Sequence, residues 1–408
     1  MSLFAMAWRN LANRRVQTII TVLVVVVGVA VTLAVMMLSS GVKQGIVRAS
    51  EPYGMIVGSK GSANQLVFNT IFLMDNPLAN LEPDYYESLA NDERVDQAVP
   101  FALGDNYRGY RIVGTDTAFF DLKGRPVDPP YFKLAAGRVF GEAFEAVIGA
   151  DVSKSTGLKP GDTFVGAHGV AAALEPDEHA EHPYRVVGVL ARVSAPSDRG
   201  IYVSMDSYWI SHDHGEEAAA AAKTEHDEEG GVTAALIKPK SYMGLMQLYQ
   251  EINRGKDAQA VLPGQVLAKL FDMIGGGEQV LRNVGYVVLG MAGLTVALAL
   301  YGSTVERRRN VAILRAIGAS RVSVMAIVLL ESAFVMLAGC ALGALVGYGL
   351  TMLLTDYVGT QVSIAMPIAF AWESLSFVGL VALVGMAAGL IPALAAYRVE
   401  TARHLNAA

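Results

Sequence analysis

Long uninterrupted apolar runs alternate along the chain with stretches of mixed polar and apolar residues. The first run lies between Val16 and Leu38, with TIITVLVVVVGVAVTLAVMML at its centre. About 20 apolar residues at 1.5 Å each cross a hydrocarbon core of ~30 Å, so this run predicts a transmembrane helix. It exceeds a signal-peptide core and no clean small-residue cleavage site follows, which predicts a retained anchor. Ahead of it, Leu3, Phe4, Ala7, Trp8 and Leu11 recur at helical spacing beside Arg9, Arg14 and Arg15. That pattern predicts a short helix lying in the membrane interface, the plainer reading being an N-terminal extension of the first span.

Residues 41–283 hold no spanning run. Short strand-like segments, YRIVGT, EAVIGA, YRVVGVL and GIYVSM, are separated there by Gly, Pro and Asp, with helical stretches such as Pro83–Leu89 between them. A mixed α/β domain with room for two lobes follows. From about Pro263 to Arg282 a helical pattern forms a stalk into a second apolar run. A third run begins after Arg321 and stays apolar to Leu354, too long for a straight span, so it must tilt, protrude or break. A fourth runs from Ser374 to about Ala396. Gly339, Gly343 and Gly347 in the third run, and Gly385 and Gly389 in the fourth, recur every four residues. Small residues so spaced let helix backbones approach in lipid, although glycine is also simply common in membrane helices.

The expected fold is an α-helical membrane protein with four transmembrane helices and a mixed α/β extracytoplasmic domain inserted between spans 1 and 2. The segments are 1–40 (interfacial helix and first span), 41–283 (outer domain and stalk), 284–304 (second span) and 305–321 (cytoplasmic helix). They continue with 322–354 (third span), 355–373 (outer loop), 374–397 (fourth span) and 398–408 (tail).

Charge orients these segments. Arg9, Arg14 and Arg15 precede the first span, Arg307, Arg308, Arg309, Arg315 and Arg321 lie between the second and third, and Arg398 and Arg403 follow the fourth. The loop from Thr355 to Glu373 has no Lys or Arg. Positive charge stays cytoplasmic, which puts both termini inside and residues 41–283 outside; the chain is expected in the cytoplasmic (inner) membrane among its lipids. The net charge of −6 gives no basic surface for nucleic acid. The single cysteine, Cys340, forbids an internal disulfide, so the outer domain must rely on its core. No GxxxxGK[ST] phosphate loop occurs, so any ATP used is expected on another chain.

Three features carry candidate chemistry. Residues 306–317 can form a short amphipathic helix, with Val311, Leu314 and Ile317 on an apolar side broadened by Ile313, and Gly318 suited to end it. Glu331 lies ~15 Å along a helix from Arg321, where an ionisable group is either functional or a structural carboxyl bonded to Ser303, Thr304 or Ser332. Five of the seven histidines, His179, His182, His212, His214 and His226, fall among many Asp and Glu residues. His179 and His182 would share a helical face, and His212 and His214 one face of an extended segment. Imidazole with carboxylate suits Zn²⁺ and similar ions; the plainer reading is a solvated loop, as EEAAAAAK suggests.

The segment VERRRNVAILRAIGASRVSVMAIVLLES, Val305 to Ser332, resembles the most recognisable stretch of the MacB/FtsX-like permeases. GLIPALAAYRVETARHL, from Gly389 to Leu405, resembles that family's closing pattern, and AWRNLANRRVQTIITVLVVVVGVAV fits its start. LAAGRVFGEAFEAVIGADVSKSTGLKPGDTF, with YRVVGVL and DRGIYVSM, looks like its extracytoplasmic domain. The resemblance covers most of the chain apart from about 168–182 and 211–231. It implies the split-subunit form of an ABC transporter permease: no cofactor bound by this chain, ATP and Mg²⁺ on a separate ATPase subunit, and a homodimer of permeases. Glu306, Arg307, Arg308, Arg309, Ile313, Leu314, Arg315, Ile317 and Gly318 would form the coupling helix that docks on the ATPase, the alternative being a helix bound only by anionic headgroups. A periplasmic adaptor or lipoprotein partner and export or extraction of a lipoprotein, peptide or hydrophobic compound are implied. The rival reading is a non-transporting, FtsX-like transmitter of signals. A membrane enzyme is disfavoured, because the spans hold no His and one clear acid, Glu331.

Overall fold

The computed structural model describes residues 2–124, 127–170, 181–212, 231–306, 320–362, 366–368 and 372–397. The chain forms two compact units. One is made of Met1–Gly41, Ile274–Val358 and Pro367–Ala408, the other of Val42–Met273 and Gly359–Met366.

In the first unit, α1 (Leu3–Asn13) begins where the Ser2 hydroxyl accepts a hydrogen bond from Ala5 N–H. It ends at Arg14, whose backbone leaves the helical region (φ −117°, ψ 49°), and α2 (Arg15–Ser50) follows. Phe4 and Trp8 meet the ring of Phe334 edge-on. The helix expected over the stalk and second span is one element, α8 (Pro263–Glu306), of 44 residues. The expected third span lies in α9 (Arg321–Val362). Its start is capped by the Ser320 hydroxyl, which accepts from Ser323 N–H. At 42 residues it is roughly 63 Å long, so of the options of tilting, protruding or breaking, it stays unbroken and outruns a bilayer core. The outer loop expected from residue 355 therefore begins as helix.

The fourth run is divided into α10 (Trp372–Ala388) and α11 (Leu390–Tyr397), with the break at Gly389. Pro392 explains it: proline has no N–H for the Ala388 carbonyl, and its ring crowds the preceding turn. Among the described residues three helical segments are long and apolar enough to cross a membrane: Arg15–Tyr53, Arg321–Gly359 and Ser374–Leu394. The remaining expected span, 284–304, lies within α8.

The second unit is built on a mixed sheet that joins eleven strands among the described residues. They are β1 (Met55–Ser59), β2 (Val95–Tyr107), β3 (Tyr110–Thr115), β4 (Leu134–Gly137), β5 (Glu145–Ile148), β6 (Thr163–Phe164), β7 (Ala167–His168), β8 (Tyr184–Leu190), β9 (Ile201–Ser204), β10 (Ala234–Pro239) and β11 (Ala258–Val261). The order is β11-β1-β10-β2-β3-β9-β5-β8-β4, with β6 on β8 and β7 on β2. Its helices are α3 (Ala63–Thr70), α4 (Pro83–Ala90), α5 (Ala150–Thr156), α6 (Met205–His212) and α7 (Tyr242–Arg254).

β2 is the hinge of the design. Its first half, to Phe101, pairs with β10; its second half, from Ala102, pairs with β3. One strand thus serves both halves of the sheet. Apolar residues occupy both faces of these strands, which is why they read as nearly continuous hydrophobic runs. Ile56, Leu236, Val113, Val147 and Tyr202 join one core, with Phe119 stacked between Phe132 and Tyr202 at 4.3 and 4.6 Å. Their neighbours point the other way. Met55, Val57 and Ile237 pack with Leu248 and Ile252 of α7, while Ile112, Ile148, Ile201 and Val203 pack with Tyr208 of α6.

Candidate functional site

The α/β unit gathers three metal-competent side chains from distant parts of the chain: Asp105, His168 and His212, with one donor atom of each within 4.8 Å of the others. Their assembly follows from local structure. Pairing between β2 and β3 shifts register between Leu103 and Asp105, so Gly104 forms a bulge. Bulges re-aim the side chains beside them. Glycine suits the bulge, because a methyl there would fall 2.6 Å from the Tyr208 hydroxyl oxygen and push that ring aside. β7 then pairs on the other edge of β2, with His168 directly opposite Asp105. The next residue, Gly169, has φ +96°, and its carbonyl accepts from Asn106 Nδ2 at 2.9 Å.

His212 arrives from α6. Strand β9 ends at Ser204, whose hydroxyl accepts from Ser207 N–H and starts the helix. The helix lies on Gly114, where a methyl would meet Tyr208 Cβ at 2.8 Å. One turn after Tyr208, the ring of His212 stacks on the Tyr208 ring at 4.5 Å. Its Nδ1 is 2.7 Å from the Tyr208 carbonyl oxygen, and its Nε2 is 3.2 Å from Asp105 Oδ1. His168 Nδ1 is 3.4 Å from the same oxygen. The Asp105 side chain is fully buried, while the His168 and His212 side chains are 32% and 24% exposed.

This grouping corrects the sequence reading of the histidines. His212 ends a helix rather than lying in an extended segment, because the Ser204 cap turns the chain into α6. His182 is in the bend before β8, stacked flat on Phe144 at 5.0 Å, and is not part of the trio. His179, His214 and His226 lie outside the described residues. Asp105 and His168 were not singled out by sequence. No local spacing marks them, since pairing of β2 with β7 brings them together across 63 positions.

In the helical unit, a methyl on Gly339 would sit 2.6 Å from Val25 Cγ1, one on Gly343 2.8 Å from Val29 Cβ, and one on Gly347 2.9 Å from the Ala30 carbonyl oxygen. These three glycines therefore let α9 lie directly on α2. Gly385 faces Met336, and Gly389 faces Ser332, so α10 lies against α9 in the same way. Glu331 is buried and accepts a hydrogen bond of 2.7 Å from Asn10 of α1. The bond comes from a helix the sequence had not connected to it. Glu306 ends α8, and Arg307, Arg308, Arg309, Ile313, Leu314, Arg315, Ile317 and Gly318 lie outside the described residues.

Residues 18–261 match the MacB-like periplasmic core domain, more than half of the chain. Residues 284–401 match the FtsX-like permease C-terminal domain. The chain belongs to the MacB/FtsX-like ABC permease family. None of the curated proteins matches it. Permeases of this family are the transmembrane components of ABC systems that usually work with an ATPase partner, and this permease is a membrane protein with a periplasmic-type α/β domain. One family-like segment of that domain has a clear structural use. In GRVFGEAFE, Arg138 grips the buried carboxylate of Glu145 with two bonds of 2.6 Å, and Arg185 of β8 adds a third at 2.8 Å.

Proposed function

We propose that this permease works as a homodimer in the cytoplasmic membrane, with two separate ATPase subunits docked on its cytoplasmic coupling helices. Each copy crosses the membrane four times, 284–304 being the second span, with both termini inside and the α/β domain outside. ATP binding draws the two coupling helices, residues 305–321, together. The motion passes along α8 and α2 and changes the arrangement of the outer domains, which act on a lipoprotein, peptide or hydrophobic substrate or on a periplasmic partner.

The observation that carries this reading is the order of the two family matches, a periplasmic core domain at 18–261 followed by a permease domain at 284–401. Two features support it. Helices α2 and α8 are continuous over 36 and 44 residues, and unbroken helices transmit displacement with little loss. The short cationic segments at residues 9–15, 307–321 and 398–403 all fall on one side of the proposed topology.

The docking surface is tested by replacing Leu314 and Ile317 with Asp. The variant should insert in the membrane normally and lose copurification with the ATPase. Full copurification and full ATPase activity in the variant would overturn the docking role.

A further inference from the structure

We propose that Asp105, His168 and His212 form a binding site for a divalent transition-metal ion of the zinc class in the α/β domain. The argument starts from hydrogen-bond chemistry. A carbonyl oxygen can only accept, so the 2.7 Å contact between His212 Nδ1 and the Tyr208 carbonyl requires a proton on Nδ1. A neutral imidazole has one N–H, so Nε2 of His212 presents a lone pair. That lone pair faces Asp105 Oδ1 at 3.2 Å, and a carboxylate oxygen also presents lone pairs. A positive centre between these two acceptors, a metal ion or a proton, turns their mutual repulsion into attraction.

Three details favour the metal. First, His168 brings another ring nitrogen to the same oxygen at 3.4 Å. Ligands ~2.1 Å from a tetrahedral zinc ion stand roughly 3.4 Å from one another, so the two spacings to Asp105 Oδ1 suit a shared ion. Second, the Nδ1–H bond to a backbone carbonyl is the outer contact that typically fixes the tautomer and orientation of a ligating histidine. Third, the donor set is mixed. Two imidazoles and one carboxylate suit zinc and its neighbours in the first transition row, whereas calcium and magnesium prefer all-oxygen sites.

The site is also framed stiffly. Asp105 is fixed by the Gly104 bulge, His168 by strand pairing and the Asn106–Gly169 bond, and His212 by its stacking on Tyr208. Three protein ligands leave a fourth position, and the partial exposure of both rings gives it access to water or to a donor from a bound molecule.

The test uses the full-length permease in detergent, stripped with a chelator and held at 150 mM salt. Zn²⁺ is titrated against a chromophoric competitor, and thermal stability is followed in parallel. The wild-type chain should hold one tight equivalent that is lost in H168A and in H212A, each weakening it by more than the ~10–100-fold that loss of an outer contact costs. Zn²⁺ should raise the melting temperature of the wild type and leave that of the two variants unchanged. A chain with His179, His182, His214 and His226 all changed to Ala should keep the equivalent. Should H212A fold poorly, H168A decides, because that ring is a third exposed and ends a short strand. Retention of the tight equivalent in H168A would place the metal elsewhere and overturn the proposal. A wild-type chain without tight Zn²⁺ binding would reduce the trio to a proton-linked His–Asp cluster.

Discussion

Glu145 shows how a single residue of the family-like segment stabilises the α/β domain. Its carboxylate is buried, and the Arg138 guanidinium, with Gly141 N–H, Arg185 and Glu142 N–H, holds its pKa down to about 2. A carboxyl whose pKa is depressed by folding adds stability above its unfolded pKa, ~4.3, and loses it as pH falls toward the folded value. Loss of stability between about pH 4.5 and pH 2 should therefore be shallower in E145Q than in the wild type. At pH 7 the variant should be weaker by on the order of 2 kcal/mol in chemical denaturation. Equal acid sensitivity of the two proteins would show that the carboxylate is not what the arginines stabilise. Little of this was legible beforehand. Arg138 and Glu145 lie within one family-like stretch and Arg185 within another, none marked individually, and only the pairing of β5 with β8 brings Arg185 to the other two. Asp105 and His168 were missed for the same reason, while His212 was noticed for its composition and given the wrong local structure.

At the scale of elements, three of the four apolar runs fall in helical segments long and apolar enough to cross a membrane, but the runs do not mark where the helices end. Hydropathy reports where lipid stops, whereas a helix stops where its hydrogen bonding does. So α2 continues to Ser50 beyond the run ending at Leu38, and α9 to Val362 beyond Leu354. The strands were legible because their apolar residues fill both faces of the sheet. The glycine rows give an element-scale prediction. Gly347 meets backbone atoms of Ala30 that cannot move aside, whereas none of the described residues lies within 4 Å of a methyl at Gly349. Gly347→Leu should therefore lower stability in detergent by about 1–3 kcal/mol, the usual range for overpacking. Gly349→Leu should leave it nearly unchanged. Equal melting temperatures for the two variants would mean that α9 does not depend on close approach to α2.

The whole molecule divides into a helical unit and an α/β unit that share long helices in sequence, and the proposed function needs them on opposite sides of a membrane boundary. Cys340 is the only cysteine and is buried, so its replacement by Ala leaves a background for single reporter cysteines. On the proposed topology, a cysteine at Thr360 should react with an impermeant thiol reagent from outside intact cells, and one at Ser303 should not. The reverse pattern would refute the orientation. The central claim is that ATP used on one side rearranges the domain on the other, and it is tested most directly by distance measurement. A spin label at the exposed position Glu87 of α4 reports the separation between the two copies in the complex with its ATPase. Adding ATP with vanadate should shift that distance distribution, and the shift should vanish when Leu314 and Ile317 are Asp. A distribution unchanged between the nucleotide-free and vanadate-trapped states would contradict the account.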